Sequence, residues 1–227
     1  MRRIARGSLT RAALVGALAL TGAHPIVAAR RAAGSIEGTV ILHLRPPRRV
    51  ASRYPGASPA SHAVQSIPAV AYLKGRIDGA PAVPPADPPT MKQHDTAFVP
   101  AALVVPVGTT VRFPNDDPFF HNVFSYSRTK RFDLGRYPRG VAKDVTFNEP
   151  GVVKVYCEVH DFMRAVIVVT ENPFSAVVGR DGAFRIDGVP PGTYTLVIWH
   201  PDLGEVDRSV TVPASGTVQV RAELAAP

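Results

Sequence analysis

The most distinctive chemistry of this chain lies in one seven-residue segment, Cys157-Glu158-Val159-His160-Asp161-Phe162-Met163. It spaces a thiol, an imidazole and a thioether three residues apart, and Cys157 is the only cysteine in the chain. Thiolate and imidazole groups bind copper strongly, and a soft thioether tolerates a long axial bond that tunes the redox potential. One loop is therefore predicted to supply three copper ligands, namely Cys157, His160 and Met163.

A trigonal copper site of this kind needs a second histidine, which comes from another part of the chain. The candidate is His121, at the end of the segment 114–121. The alternative for Cys157 is a small buried hydrophobic residue at the end of a strand, where lone cysteines are common. The spacing of three different donor types favours the metal site.

The elements that must position these residues are predicted to be strands. From Ser35 onward, short apolar or alternating runs rich in Val, Thr, Tyr and Phe are interrupted by Gly and Pro at close intervals. No long run with helical periodicity follows the N-terminal segment. The fold class is therefore all-β, and Cys157 follows a predicted strand at 152–156.

Two proline-rich segments divide the chain. Residues 46–66 are rich in Pro, Arg, Ser and Ala, which predicts a loose, mobile loop between strands at 35–42 and 69–73. Residues 81–89 contain five prolines in nine positions and predict a stiff linker.

Residues 95–170 resemble a cupredoxin. The Cys-x2-His-x2-Met loop, with Phe before the Met, is most similar to amicyanin and related plastocyanin-like blue copper proteins. Residues 98–113 resemble the strand pair that precedes the first ligand in that family, and His121-Asn122-Val123 resembles its first-ligand motif. The resemblance implies that Asn122 holds the ligand loop and that one type 1 copper is bound by His121, Cys157, His160 and Met163. Asp161 departs from the family pattern, since many relatives have proline there.

The region after residue 172 resembles a second family. Asp181-Gly182 and Pro190-Pro191-Gly192 predict tight turns between alternating strands. This pattern resembles the carboxypeptidase regulatory-like, or transthyretin-like, β-sandwich, whose first strands are then expected at 35–42 and 69–73. The alternative is that residues 35–90 form a separate small piece or a disordered arm.

The predicted architecture is thus a cupredoxin Greek-key β-sandwich, inserted in or followed by a second small transthyretin-like β-sandwich. The expected divisions are a signal peptide at 1–29, the first strands of the second sandwich with the loose loop at 34–75, a Pro-rich linker at 76–90, the cupredoxin at 91–171 and the remainder of the second sandwich at 172–225.

The first 29 residues predict export. Four arginines and no acid accompany the apolar run 12–20, and the small residue Ala29 suits signal-peptide cleavage. The run is too short to span a bilayer, so a periplasmic or secreted protein without a membrane span is expected. One cysteine cannot form an internal disulfide in an oxidising compartment, and metal ligation is a natural role for it.

Residues 128–144 form a basic stretch. Its only acids are Asp133 and Asp144, and its cations are Arg128, Lys130, Arg131, Arg136, Arg139 and Lys143. Such a face would steer an acidic redox partner, while the alternative is an ordinary solvated loop. The sequence has no run of Lys and Arg with interleaved aromatics, so a nucleic-acid partner is not expected.

These features predict an exported blue copper protein that carries single electrons between redox proteins such as a cytochrome or a dehydrogenase. The alternatives are a copper storage or delivery protein, and a structural or glycan-binding β-sandwich with a vestigial cupredoxin. An enzyme is not expected, because a catalytic copper needs further histidines in a His-x-His arrangement and the sequence has none. The oligomeric state stays open.

Overall fold

The structure is a computed structural model that describes residues 32–44, 65–78, 80 and 85–226. The predicted signal peptide and most of the predicted loose loop lie outside these residues. In the described ranges the chain forms strands and no helix, so none of them holds a helix suited to crossing a membrane. The strands are β1 Gly34–His43, β2 Val70–Leu73, β3 Lys92–His94, β4 Ala97–Val99, β5 Ala102–Pro106, β6 Thr109–Pro114, β7 His121–Tyr126, β8 Arg131–Tyr137, β9 Ala142–Phe147, β10 Gly151–Tyr156, β11 Arg164–Thr170, β12 Ser175–Val177, β13 Ala183–Val189, β14 Gly192–His200, β15 Gly204–Val212 and β16 Thr217–Ala225.

Strands β3 to β11 form one sandwich, called here the ligand sandwich. Its five-stranded sheet has the order β5-β11-β10-β7-β8, and the pairs β6–β9 and β3–β4 complete it. In β10, Val153 and Val155 are buried while Lys154 is exposed, as the alternation of side chains along a strand requires. The shared core of these sheets includes Met91, Phe98, Phe113, Val123, Tyr137, Phe147, Val155 and Ile167.

The remaining strands form a second sandwich, called here the split sandwich. β1 lies between β13 and β16 in a three-stranded sheet, and β2 lies between β12 and β14 in a four-stranded sheet with β15 at its edge. Side chains from both sheets meet in one core, for example Ile36 from β1 and Ile198 from β14. The chain therefore starts this sandwich, forms the ligand sandwich and then returns to finish it. The predicted all-β class is confirmed.

A buried side chain joins the two connections between the sandwiches. Asn172 Nδ2 donates hydrogen bonds to Leu73 O and Gly75 O, both at 2.7 Å, and Asn172 Oδ1 accepts one from Phe174 N–H at 2.9 Å. The point where the chain leaves the split sandwich thus lies beside the point where it returns. Insertions are tolerated where the two ends lie close together.

The two sandwiches also pack against each other along β11. Ile167 faces the core of the ligand sandwich, whereas Val166 and Val168 pack with Val70 and Ala102 in a separate apolar cluster. Both faces of β11 are therefore covered, which explains its continuous apolar run.

Candidate metal centre

The segments that carry the predicted ligands meet at one end of the ligand sandwich. β10 and β7 are antiparallel, with Tyr156 opposite Phe124, so the loop after β10 lies against the start of β7 at His121. His121 Nδ1 is 3.6 Å from Cys157 Sγ and 3.2 Å from His160 Nδ1. Three ligand atoms, one from each of these side chains, lie within 4.8 Å of one another.

The four candidate ligands differ in their burial. His121 and Met163 are fully buried, Cys157 is 3% exposed, and His160 is half-buried. Met163 belongs to the same apolar core as Cys157, and its N–H donates to His160 O at 3.0 Å. Solvent therefore approaches the centre on the side of His160.

Asn122 connects the ligand loop to the neighbouring strands. Its Oδ1 accepts a hydrogen bond from Glu158 N–H at 2.8 Å, and its Nδ2 donates to Asp133 Oδ1 at 2.8 Å. The residue directly after Cys157 is thereby tied to β7, and β7 is tied to β8. This arrangement restrains the loop that carries three of the candidate ligands.

A second restraint comes from Asp117, which the sequence argument missed. The buried Asp117 carboxylate accepts a hydrogen bond from His121 Nε2 at 2.8 Å and bonds from Asp95 N–H and Thr96 N–H at 2.8 and 3.0 Å. Burial by itself would raise the pKa of this carboxyl. The hydrogen bonds from Thr96, His121 and Asp95 outweigh that effect and lower the pKa below its ordinary value.

The loop before His121 is shaped by a further buried polar side chain. Asn115 Nδ2 donates to Phe119 O at 2.9 Å and to Tyr137 O at 3.0 Å, while Asn115 Oδ1 accepts from Asp117 N–H at 2.9 Å. The run Asn115-Asp116-Asp117-Pro118 carries the signal of a turn held by its own side chains. That signal predicts a turn, but it does not reveal which carboxylate meets His121.

The donor set fits copper. Because the Asp117 carboxylate accepts the Nε2–H of His121, the Nδ1 atom of that ring presents its lone pair to Cys157 and His160. A sulfur donor with two imidazoles suits a soft or borderline metal, whereas Mg²⁺ and Ca²⁺ require oxygen ligands. Another group, His94, Asp95 and Asp117, also brings its donor atoms together. Its only buried carboxylate is already engaged with His121, so we assign no second site there.

Apolar side chains surround the accessible side of the centre. The Phe119 ring lies 5.2 Å from the ring of His121 and 5.6 Å from that of His160, measured between centroids. Phe119, Phe120 and Val159 are 43%, 56% and 41% exposed. The approach to His160 is therefore an apolar surface.

The basic stretch does not form a single face at this end. In the antiparallel pair of β7 and β8, Arg131 lies opposite Tyr126 at the far end of β7, whereas Arg136 lies opposite Asn122 near the metal centre. Arg136 Nη2 lies 3.4 Å from Glu158 Oε2, and Lys143 Nζ donates a hydrogen bond to Leu134 O. Arg136 and Lys143 thus each have a neighbour that opposes the charge or accepts a hydrogen bond.

Comparison with protein families supports the resemblance of the C-terminal part. Residues 162–225 match the family of carboxypeptidase regulatory-like domains. The match begins before β11, a strand that the structure places in the ligand sandwich, while β2 lies between β12 and β14 in the split sandwich. No curated protein sequence is significantly similar to the chain.

Solved structures similar to the chain include several cupredoxins. A Cu-containing nitrite reductase from Thermus scotoductus SA-01 is 28% identical over 44% of this chain and 28% of its own, with a TM-score of 0.37. An amicyanin variant in its oxidized state is 26% identical over 36% of this chain and 81% of its own, with a TM-score of 0.35. A purple cupredoxin from Nitrosopumilus maritimus is 28% identical over 36% of this chain and 99% of its own, with a TM-score of 0.33. The matched region spans little more than a quarter of the reductase.

Proposed function

We propose that this chain is an exported blue copper protein that carries single electrons between redox proteins. The supporting observation is the meeting of His121, Cys157 and His160 within 4.8 Å, from loops at the same end of one sandwich. In the proposed site Met163 is the fourth, weak ligand. Bound copper would supply one-electron chemistry by alternating between Cu(I) and Cu(II).

The role of the protein would be to hold the ligands in the same positions in both oxidation states of the copper. Asp117 fixes the ring of His121, and Asn122 ties the loop that carries Cys157 to β7. Such outer hydrogen bonds orient metal-binding side chains and fix the tautomer of a histidine. A site restrained in this way needs little rearrangement between two charge states, which favours fast electron transfer.

The surface around His160 supports the role of a carrier. His160 is the candidate ligand that solvent reaches, and Phe119, Phe120 and Val159 form exposed apolar surface around it. A partner protein would dock there through apolar contact, with its redox group close to the imidazole. Export is supported by the sequence of residues 1–29.

An absorption spectrum of the protein loaded with Cu(II) tests the proposal. We expect an intense blue colour, because a short bond from Cu(II) to a thiolate gives strong charge-transfer absorption in the visible range. Cys157→Ser should abolish the colour while keeping the side-chain volume nearly unchanged. A colourless wild type, or a blue Cys157→Ser variant, would contradict the ligand assignment.

Copper storage or delivery would use the same ligands with a different outcome. The near-complete burial of His121 and Cys157 supports retention of the ion and therefore the carrier. A carrier should cycle reversibly at an electrode and keep its copper in a moderate excess of chelator. Rapid loss of copper to the chelator would favour delivery.

A further inference from the structure

A cleft of about 610 Å³ lies between the two sandwiches, and its described lining residues include none of the four candidate ligands. One wall is the end of β7, the turn after it and the outer face of β10, and the other wall is the end of β14 with the turn that follows. Its volume is within the range of about 300–1,000 Å³ that is usual for ligand sites. Its lining includes Tyr126, Ser127, Arg128, Lys154, Tyr156 and Trp199.

The cleft exists because the split sandwich covers only part of the five-stranded sheet. The apolar cluster of Val70, Val166 and Val168 covers the side of β5 and β11, and Trp199 and Val152 pack at its edge. Beyond that edge, Lys154 and Tyr156 stand on the outer face of β10, since Val153 and Val155 occupy the inner face.

A row of aromatic rings crosses the open part of the sheet. The Phe124 ring lies 5.9 Å from that of Tyr156 and 5.2 Å from that of Tyr126, between centroids. Tyr126 is 67% exposed, and the Arg131 guanidinium lies 5.7 Å above its ring. Contiguous exposed apolar surface on a soluble protein usually marks a binding site.

The charged groups that line the cleft are cations, and serine, threonine and tyrosine hydroxyls accompany them. Arg128 and Lys154 line it, and the described lining residues include no carboxylate. Asp202, in the turn after β14, is paired with both terminal nitrogens of Arg164 at 3.2 and 3.0 Å. Ser127 Oγ accepts a hydrogen bond from Lys154 N–H at 2.9 Å, so its own hydrogen can be donated to a ligand.

We propose that this cleft binds a glycan that carries carboxylate groups. Flat aromatic faces stack on the C–H faces of sugar rings, hydroxyl groups exchange hydrogen bonds with sugar hydroxyls, and Arg128 and Lys154 form charge-assisted hydrogen bonds with carboxylates. The aromatic row continues from the cleft across β10 and β7 to Tyr126 and Arg131. This open, elongated platform suits a chain of several rings better than one compact ligand.

Trp199 makes the test specific to this cleft, because it is the only tryptophan in the chain. Oligogalacturonate is titrated into the full chain, with and without copper, and the tryptophan emission is recorded. A neutral malto-oligosaccharide of equal length is the control. We expect a saturable change with oligogalacturonate and an affinity at least about tenfold lower for the neutral sugar, as loss of charge-assisted bonds implies.

Variants then locate the site. Lys154→Gln should weaken oligogalacturonate binding about tenfold, whereas Lys154→Arg should bind nearly as tightly as the wild type. Arg208→Gln, at an exposed position of β15, should leave the affinity unchanged. Tyr126→Leu should weaken binding of the same probe as well. Lys154 is exposed, so its variants test the proposal even if the Tyr126 variant folds poorly. All of these proteins should keep the spectrum of the metal centre.

Three results would overturn the inference. One is the lack of a saturable signal with oligogalacturonate. Another is equal affinity for oligothymidylate or polyglutamate, which would mean that the cleft selects negative charge alone. The last is Lys154→Gln binding as tightly as the wild type, which would place the glycan elsewhere.

Discussion

At the scale of single residues, His121 shows how a candidate ligand is oriented from behind. Its Nδ1 atom faces Cys157 and His160, while its Nε2 atom is held by Asp117 at 2.8 Å. The carboxylate is itself oriented by Asp95 N–H and Thr96 N–H from the turn between β3 and β4. The ring is thus positioned by a part of the chain more than twenty residues away.

Asp117→Asn should lower copper affinity by about 10–100-fold, the usual effect of removing such a partner. The amide accepts hydrogen bonds less strongly than the carboxylate, so the His121 ring loses part of its restraint. Competition with a chelator measures the affinity, and voltammetry measures the reduction potential. Asp116→Asn is the matched control, since the Asp116 side chain lies in an exposed ion pair, with its Oδ2 atom 3.5 Å from Lys92 Nζ. Equal copper affinities in the two variants would show that Asp117 does not position the ligand.

Met163→Leu should retain copper and raise the reduction potential. Loss of the weak thioether donor destabilises Cu(II) more than Cu(I), while leucine fills a similar volume in the core and costs less than about 1.5 kcal/mol of stability. Voltammetry and copper analysis of the purified variant check both points. A variant that loses all its copper would show that the thioether is a principal ligand.

At the scale of elements, β14 ends in a histidine that connects it to the segment before β2. His200 Nε2 donates to Ile67 O at 3.0 Å, and His200 Nδ1 accepts from Asp202 N–H at 3.1 Å. Both ring nitrogens are therefore satisfied only in the neutral form. Burial lowers the pKa of His200, although the charge of Asp202 and the bond to Ile67 oppose the shift.

This histidine predicts a loss of stability in acid. The unfolded chain binds a proton at His200 near the ordinary pKa of 6.5, whereas the folded protein resists protonation until a lower pH. The free energy of unfolding should therefore fall as pH decreases from 6.5 towards the lowered pKa. Urea unfolding of the copper-free protein at several pH values measures the slope.

The slope should be smaller in His200→Gln, which keeps a donor for Ile67 O but does not titrate. His43→Gln is the control, because the His43 side chain is 53% exposed. If the wild type and His200→Gln show the same dependence on pH, the titration of His200 does not affect folding.

At the scale of the whole molecule, we propose domain divisions at 34–75, 76–90, 91–171 and 172–225, with the ligand sandwich inserted in the split sandwich. β1 and β2 each occupy the middle of a sheet, between β13 and β16 and between β12 and β14. Removing them would leave four strands with unpaired edges and would open the core around Ile36.

Two fragments test this division. Residues 89–171 should fold and bind copper, because they contain β3 to β11 and all four candidate ligands. Residues 89–227 should carry an equally intact ligand sandwich, followed by a segment that exchanges amide hydrogen rapidly and tends to aggregate. The insertion would be contradicted if the fragment 89–227 had slowly exchanging amides in β14 and β16 and were as soluble as the longer chain.

The all-β class, the two family resemblances and the choice of candidate ligands follow from local patterns along the chain. Cys157, His160 and Met163 are neighbours along the chain, so their spacing limits how far apart they can lie in any fold. Their assignment as ligands remains a prediction. The alternation of buried and exposed positions in β10 and the turn residues Asp181-Gly182 are likewise local signals. They can be recognised without knowing how the strands pack.

Which distant groups meet depends on the packing of the strands. Asp117 reaches His121, Asp95 and Thr96 because the β3–β4 hairpin packs beside β6, and Arg131 and Arg136 separate because β8 places them opposite the two ends of β7. The cleft beside Trp199 exists because one sandwich covers only part of the other. These contacts depend on sheet order and on how whole faces pack, and spacing along the chain does not specify either.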